Sequence, residues 1–151
     1  MRAVIQRVRR ASVSVSGEVV GAIDRGLVAL VGVAPDDAGA EVNALADKLA
    51  GLRIFADADG RMNRSVGDIG GAVLVISQFT LLADVRRGRR PSFAGAADPG
   101  HAEPLVAALV ARLASLGVTV EEGRFGAAMS VSLVNEGPVT LILEVVDGRV
   151  V

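Results

Sequence analysis

Two short segments carry side chains whose types and spacing could do chemistry: Ser77-Gln78-Phe79-Thr80-Leu81 and Asn135-Glu136-Gly137-Pro138-Val139-Thr140. The first sets two hydroxyls and a carboxamide directly after Ala72-Val73-Leu74-Val75-Ile76, an apolar run that reads as a buried strand delivering polar groups at its end. Thr80 is the hydroxyl to nominate as a nucleophile, but a threonine needs an adjacent base or a lowered pKa, and nothing near it supplies either. The second segment puts Gly137-Pro138 between two strand-like runs, where the backbone is tightly restricted. On its residues alone this is a turn between strands, with the general expectation of about 5–6% for a cis X-Pro bond.

The rest of the chemical inventory is sparse. There is one histidine, His101, and there is no Cys, Trp or Tyr. A Ser-His-Asp triad would have to use His101, which stands at an exposed helix start, Asp98-Pro99-Gly100-His101, with nothing to set the mutual geometry a triad requires. A two-histidine zinc site would need two chains, and thiolate sites and disulfides are excluded. The run from Asp57 to Asn63 lacks the spacing and closing Glu of a calcium loop and reads as turn chemistry. No glycine pattern of a dinucleotide or mononucleotide site is present. No cofactor and no metal are therefore expected, and a hydrolase built from this set takes its general base from an unusual source.

The net charge of −1 argues against strong nonspecific attraction to nucleic acid, yet Arg86-Arg87-Gly88-Arg89-Arg90 is a local basic cluster. It reads either as a solvated loop or, so close behind Thr80, as a phosphate contact formed by Arg86, Arg87, Arg89 and Arg90.

These segments need a scaffold to hold them. The chain has 151 residues, 51% hydrophobic and only 3% aromatic, which suits one domain with a Val, Leu, Ile and Ala core. Roughly two-thirds of the surface of such a chain is buried on folding. No apolar run approaches the ~20 residues that span a bilayer. Charges in Met1-Arg2-Ala3-Val4-Ile5-Gln6-Arg7 break what would be a signal peptide's apolar stretch, so a cytoplasmic location is expected.

Val4 to Val8 and Ala11 to Val15 read as short strands, and Ser16-Gly17-Glu18 turns the chain into Val19 to Ile23 as a hairpin. Leu27 to Val33 is a central strand. Pro35-Asp36-Asp37 starts a helix capped by Asp36 or Asp37, with Ala38, Val42, Leu45, Ala46 and Leu49 on one face. A second helix has Pro104 in its first turn, Leu105, Leu109, Leu113 and Leu116 along one face, and Gly117 as its stop. Arg53 to Phe55, Ala72 to Ile76, Val118 to Glu121, Met129 to Leu133 and Val139 to Val145 complete the strands. The polar–apolar alternation of Ser130-Val131-Ser132-Leu133 leaves one face wet or at an interface. The pattern predicts a single α+β domain over 1–151. It has a strongly curved, mainly antiparallel sheet or barrel, two main helices and a loose tail over 146–151.

From Met1 to about Glu144 the chain resembles the D-aminoacyl-tRNA deacylase family, also called D-tyrosyl-tRNA deacylases. Besides the two opening segments, the resemblance rests on Arg2-Ala3-Val4-Ile5-Gln6-Arg7-Val8, Leu52-Arg53-Ile54-Phe55, Gly88-Arg89-Arg90-Pro91-Ser92-Phe93 and Gly123-Arg124-Phe125-Gly126. Leu82 stands where an aromatic residue is common in the family, Val85 is atypical, and the tail is extended.

The resemblance implies hydrolysis of the ester joining a D-amino acid, or glycine, to the 3′-terminal adenosine of tRNA. It implies aminoacylated tRNA as partner and a homodimer with its active site at the subunit interface. Gly137-Pro138, cis in the family, would act in trans as the selector against L-amino acids, with Arg7 supporting it. Ser77, Gln78, Phe79 and Thr80 would form the opposing catalytic wall, although Phe79 also suits a core position. Catalysis would proceed either through Thr80 or through the 2′-hydroxyl of the terminal ribose, with backbone N–H groups near Phe79 and Thr80 holding the oxyanion. The alternative reading is a non-catalytic RNA-binding module gripping phosphate through the arginine loop.

Overall fold

The computed structural model describes residues 1–151. Its first element, β1 (Arg2–Val15), is one 14-residue strand where the sequence suggests two short ones. The break in pattern is a change of face. Register against the C-terminal partner strand shifts between Gln6 and Val8 and again between Val8 and Arg10. Ala3 and Ile5 therefore point into one core, and Val8, Ala11 and Val13 into another. An irregular register of this kind flips inward and outward side chains without ending the strand.

Strand β2 (Glu18–Ile23) follows through Ser16 and Gly17, both at positive φ, as a two-residue hairpin of the primed type requires. Then come β3 (Gly26–Gly32), α1 (Gly39–Gly51), the small hairpin β4 (Phe55–Ala56) and β5 (Met62–Arg64), and β6 (Ala72–Ser77). A 3-10 turn (Phe79–Leu82), α2 (Pro99–Ser115), β7 (Thr119–Glu122), β8 (Ser130–Val146) and β9 (Arg149–Val150) complete the chain.

The main sheet has seven strands in the order β7-β6-β3-β1-β8-β9, with β2 on the second half of β1. Pairings around β1 and β8 are antiparallel, while β3, β6 and β7 run parallel. Parallel neighbours need long crossovers; α1 lies in one and α2 in the other. The α+β class and curved sheet agree with the sequence reading, and the parallel portion makes the sheet mixed.

Both faces of β3 and β6 are buried, as their uninterrupted apolar runs require. Leu27, Ala29, Val31, Val73 and Val75 pack against Val42, Leu45 and Leu49 of α1 and Val106, Leu109 and Leu113 of α2. Val28, Leu74 and Ile76 face Val8, Ala11, Val13 and Ile23 instead. The sheet curls until β2 closes over β6, with which it does not pair. Truncating a fully buried leucine such as Leu45 or Leu109 to alanine costs about 2–5 kcal/mol.

Four local expectations need correction. Helix α1 begins after Ala38, and neither Asp36 nor Asp37 caps it. Asp37 is drawn inward, where Oδ1 lies 2.5 Å from the Met1 ammonium and Oδ2 accepts the Ala34 N–H at 2.6 Å. A buried carboxylate needs a cation, and Met1 supplies one. The Ala38 N–H is satisfied by Glu41 at 2.8 Å. In α2, Pro99 takes the first helical position behind the Asp98 cap, so Pro104 falls within the helix. Leu116 ends that helix exposed, outside its buried face. The 146–151 tail is not loose: Arg149 and Val150 pair with Val146 and Val145, and Glu41 accepts the Gly148 N–H at 2.7 Å.

Candidate active site

Strand β6 ends by handing the Gln78 N–H to the Val31 carbonyl of β3 at 2.7 Å, after which the chain tightens into the Phe79–Leu82 turn. The turn sits directly on the end of β3. A Cβ at Gly32 would lie 3.0 Å from the Gln78 carbonyl oxygen and 3.3 Å from Leu81 Cβ, so glycine makes this approach possible. Leu81 N–H donates to Gln78 O at 3.2 Å and Ala83 N–H to Thr80 O at 3.1 Å. The N–H groups of Phe79 and Thr80, at the start of the turn, have no carbonyl acceptor within it.

Gln78 Nε2 donates to Thr80 Oγ1. The threonine hydroxyl is thus held by a carboxamide, a group that cannot take its proton at neutral pH. Beside the turn opens a cavity of about 350 Å³, walled by Val31, Phe79, Phe93, Ala97, Val106 and Phe125, with Ser77 and Gln78 as its polar rim. Phe79 is 56% exposed and meets Phe93 edge-on at 5.0 Å, so it stands at this cavity and not in the core. His101 is elsewhere, its Nε2 hydrogen-bonded to the Asp37 carbonyl at 2.8 Å.

The second segment is an excursion from the β1–β8 ladder. Thr140 pairs with Gln6 and Asn135 with Val8, so four residues, Glu136 to Val139, stand opposite Arg7 alone. The Gly137–Pro138 bond is cis, and Gly137 has φ +140. A Cβ there would lie 2.7 Å from Val139 Cγ2 and 3.2 Å from Arg7 Nη2. Asn135 closes the excursion: its Oδ1 accepts the Val139 N–H at 2.7 Å, and its Nδ2 donates to Val139 O at 3.2 Å and Thr140 Oγ1 at 3.1 Å.

Arg7, only 13% exposed, donates through Nε to the Glu136 carbonyl at 2.9 Å and through Nη1 to the Ile54 carbonyl. The Glu136 carboxylate faces Arg25 at 3.6 Å, Arg9 at 3.8 Å and Arg7 at 3.9 Å, and its buried Oε2 makes no hydrogen bond.

Within one chain the sequence-nominated residues form three groups. Ser77 ends β6, Gln78 caps the turn and Phe79 and Thr80 begin it, and Ser77, Gln78 and Phe79 line the cavity. Gly137 and Pro138, with Arg7 behind them, are exposed and do not line it. Arg86, Arg87, Arg89 and Arg90 occupy an exposed loop pinched at its base by the Asp84–Ser92 bridge. Arg86 is committed within that loop. It grips Asp84 through Nε at 2.9 Å and Nη2 at 2.7 Å, which holds the Asp84 carboxyl below its usual range and raises Arg86. No such pairing engages Arg87, Arg89 or Arg90.

Sequence reasoning did not single out Arg2, Gly32, Phe93 or Asn135 for function. A signal for Arg7 exists: strand alternation puts it in phase with the buried Ala3 and Ile5, where a charge needs partners. Asn135, two residues before a Gly-Pro pair, has the side chain suited to closing a turn on its own backbone.

The sequence profile described as D-Tyr-tRNA(Tyr) deacylase matches residues 4–144. The chain is 60% identical to the D-aminoacyl-tRNA deacylase of Roseiflexus sp. (strain RS-1) over 95% of its own length and 93% of that protein's. It is 56% identical to the D-aminoacyl-tRNA deacylase of Halalkalibacterium halodurans, over 95% of this chain and 99% of that one. Among solved structures, one described as c-Myc DNA Unwinding Element Binding Protein superposes with a TM-score of 0.89 at 38% identity, covering 96% of this chain and 99% of its own. With the profile matching 4–144 and these relatives 56% and 60% identical over nearly their whole length, the chain belongs to the D-aminoacyl-tRNA deacylase family.

Proposed function

We propose that the protein, a D-aminoacyl-tRNA deacylase by family, hydrolyses the ester between a D-amino acid or glycine and the 3′-terminal adenosine of tRNA. The observation that carries this reading is the Phe79–Leu82 turn, with two N–H groups free at its start, on the rim of the aromatic-walled cavity. The terminal aminoacyl-adenosine occupies that cavity. Water adds to the ester carbonyl, and the N–H groups of Phe79 and Thr80 donate to the oxyanion as it forms. The intermediate collapses with the ribose 3′-oxygen leaving, and the proton lost by water goes to that oxygen through the neighbouring 2′-hydroxyl. Free amino acid and uncharged tRNA result. The Gln78 carboxamide on Thr80 Oγ1 supports this substrate-assisted route over a threonine nucleophile, because no group beside the hydroxyl accepts its proton.

Chirality is set by backbone. Gly137 and Pro138 project exposed from β8, away from their own chain's cavity, which suits insertion into the site of a second copy. Val134 and Ile142, 37% and 69% exposed on the same strand, supply apolar surface for that homodimer. A main-chain wall on the L side of the α-carbon excludes any Cβ by overlap and is indifferent to the identity of a D side chain. The reaction belongs where aminoacylated tRNA is found, in the cytoplasm; no helix is long and apolar enough to cross a membrane.

A second reading, nucleic-acid binding without hydrolysis, draws on the description of the 38%-identical structure and on the exposed Arg87, Arg89 and Arg90. It leaves the cavity without a role. Incubating the protein with D-aminoacyl-tRNA and its L counterpart, and measuring release of free amino acid, separates the two. Release from the D substrate alone supports the deacylase, and binding without release supports the module.

A further inference from the structure

From the geometry at the far end of the Phe79–Leu82 turn, we infer that Arg2, braced by Glu144, is a positioning residue for catalysis. The inference rests on the reading that this turn holds the oxyanion. Arg2 and Glu144 are direct cross-strand partners at the ends of β1 and β8. Arg2 Nε donates to Glu144 Oε1 at 2.7 Å, and Nη2 lies 2.6 Å from the same oxygen. The remaining arm of the fork, Nη1, donates to the Leu81 carbonyl at 2.9 Å.

That carbonyl is one of the two at the turn's end that it leaves without a backbone donor. A 3-10 turn of four residues has no internal donors for its last carbonyls, just as it has no internal acceptors for its first N–H groups. The turn is held at its start by the Gln78 N–H on Val31 O and is seated on Gly32. Its end is fixed by Arg2. Without that hold, the Leu81 peptide can rotate, and the Phe79 and Thr80 N–H vectors move with it. An oxyanion donor works only when its direction is set before the reaction begins.

The pair does little else for the fold. The side chains of Arg2 and Glu144 are 39% and 43% exposed, and exposed ion pairs contribute little to stability. Lysine cannot replace Arg2, because holding a carboxylate and a carbonyl in fixed directions takes the planar fork of a guanidinium.

The test compares steady-state hydrolysis of D-aminoacyl-tRNA, with thermal melting, for the full-length wild type and for Arg2→Met, Arg2→Lys and Glu144→Ala. Arg112→Ala is a control: it breaks a similarly exposed pair, Arg112 with Asp47, between the helices. Phe79→Pro, which removes one of the two oxyanion N–H groups, tests the underlying reading. A misplaced catalytic group costs up to roughly 10² in rate. The expected result is a fall in kcat of about tenfold or more in Arg2→Met and Arg2→Lys, with KM and melting unchanged. Glu144→Ala should fall less, because Arg2 loses its brace but not its contact, and the control should match wild type. Unchanged kcat in both Arg2 variants, with Phe79→Pro impaired, overturns the inference and leaves the reading standing. A rise in KM alone also overturns it, since Arg2 would then serve ground-state binding. Full activity in Phe79→Pro removes the oxyanion reading and the inference together. If an Arg2 variant does not fold, wild-type kcat in Glu144→Ala still counts against the inference.

Discussion

The Arg7 guanidinium donates at 2.9 Å to the carbonyl of Glu136, the residue immediately before Gly137. Its other arm reaches the Ile54 carbonyl, so one partly buried side chain ties the β8 excursion to the segment preceding β4. Arginine is suited to this because two carbonyls in fixed directions need a rigid, permanently charged donor. Removing it leaves two partly buried acceptors without a protein donor, at about 1–3 kcal/mol each. Arg7→Met should therefore lower stability by about 2–6 kcal/mol in urea unfolding. It should also relax discrimination between D- and L-aminoacyl-tRNA. Arg7→Lys should recover part of the stability and little of the discrimination. A variant of wild-type selectivity would detach Arg7 from the proposed selector.

Asn135 invites a similar test with a smaller expected effect. Its carboxamide makes three contacts across the four-residue excursion, to Val139 N, Val139 O and Thr140 Oγ1. Asn135→Asp keeps the acceptor and loses the donors; Asn135→Ala loses both. Stability should fall in the order wild type, Asp, Ala, by about 1 kcal/mol per lost bond, as chemical denaturation can read.

How much of this could be read from the residues differs by scale. The strand carrying Ser77 was legible because Ala72 to Ile76 is apolar without interruption, and only a strand buried on both faces is written that way. The two halves of β1 looked like separate strands because Arg9 and Arg10 interrupt the alternation. Only the register against β8, a contact more than 120 residues away in the chain, shows that a shift carries the strand through. Asp37 carries the cap signature yet is engaged by Met1, since a long-range ion pair outweighs a local cap. The contacts of Arg2 are illegible for the same reason: its partners are Glu144 and Leu81, neither of them near it in sequence.

If the selector is main chain, activity should be broad among D side chains. Several different D-aminoacyl-tRNAs should be cleaved at comparable rates, glycyl-tRNA should be cleaved because it has no Cβ to exclude, and the L counterparts should be spared. Release of free amino acid from matched D- and L-alanyl-tRNA gives the sharpest comparison. Equal rates for that pair would end the steric account of selection.

Thr80 separates two mechanisms. If its hydroxyl, held by Gln78, shapes the site without attacking, Thr80→Ala should lose only about one hydrogen bond's worth of rate, roughly fivefold. A substrate ending in 2′-deoxyadenosine should be inert. The opposite pattern, a dead Thr80→Ala with a trappable acyl-enzyme and an active 2′-deoxy substrate, would establish the threonine as nucleophile.

Glu41 links the start of α1 to the C-terminal hairpin, accepting the Ala38 N–H at 2.8 Å and the Gly148 N–H at 2.7 Å. The Ala38 hydrogen bond, then that of Gly148, holds its carboxyl below the usual glutamate range against the opposing effect of burial. A carboxylate depressed in the folded state stabilises above its unfolded pKa and loses that contribution as pH falls through the folded value. Melting of the wild type should thus fall below about pH 4.3 more steeply than melting of Glu41→Gln, whose amide does not titrate. Parallel curves would show that the charge on Glu41 contributes nothing to the hold on the hairpin.

The arginine loop offers the last test, and the Asp84 pair makes its members unequal. Arg86 is bound to Asp84 by two hydrogen bonds, so a phosphate would have to compete with a carboxylate already in place. Arg87, Arg89 and Arg90 have no such competitor and are exposed. Each phosphate contact to single-stranded RNA contributes about 0.7 to the slope of log K against log salt, and about 0.9 if the partner is duplex. Replacing Arg87 and Arg89 by glutamine should therefore reduce that slope by about 1.4 on a single-stranded end and weaken binding to all tRNAs alike. Arg86→Gln should change it much less, and the ratio of D to L hydrolysis should stay where it was in every variant. A slope unaltered by the double replacement would make the loop a solvated surface, with tRNA held elsewhere on the molecule.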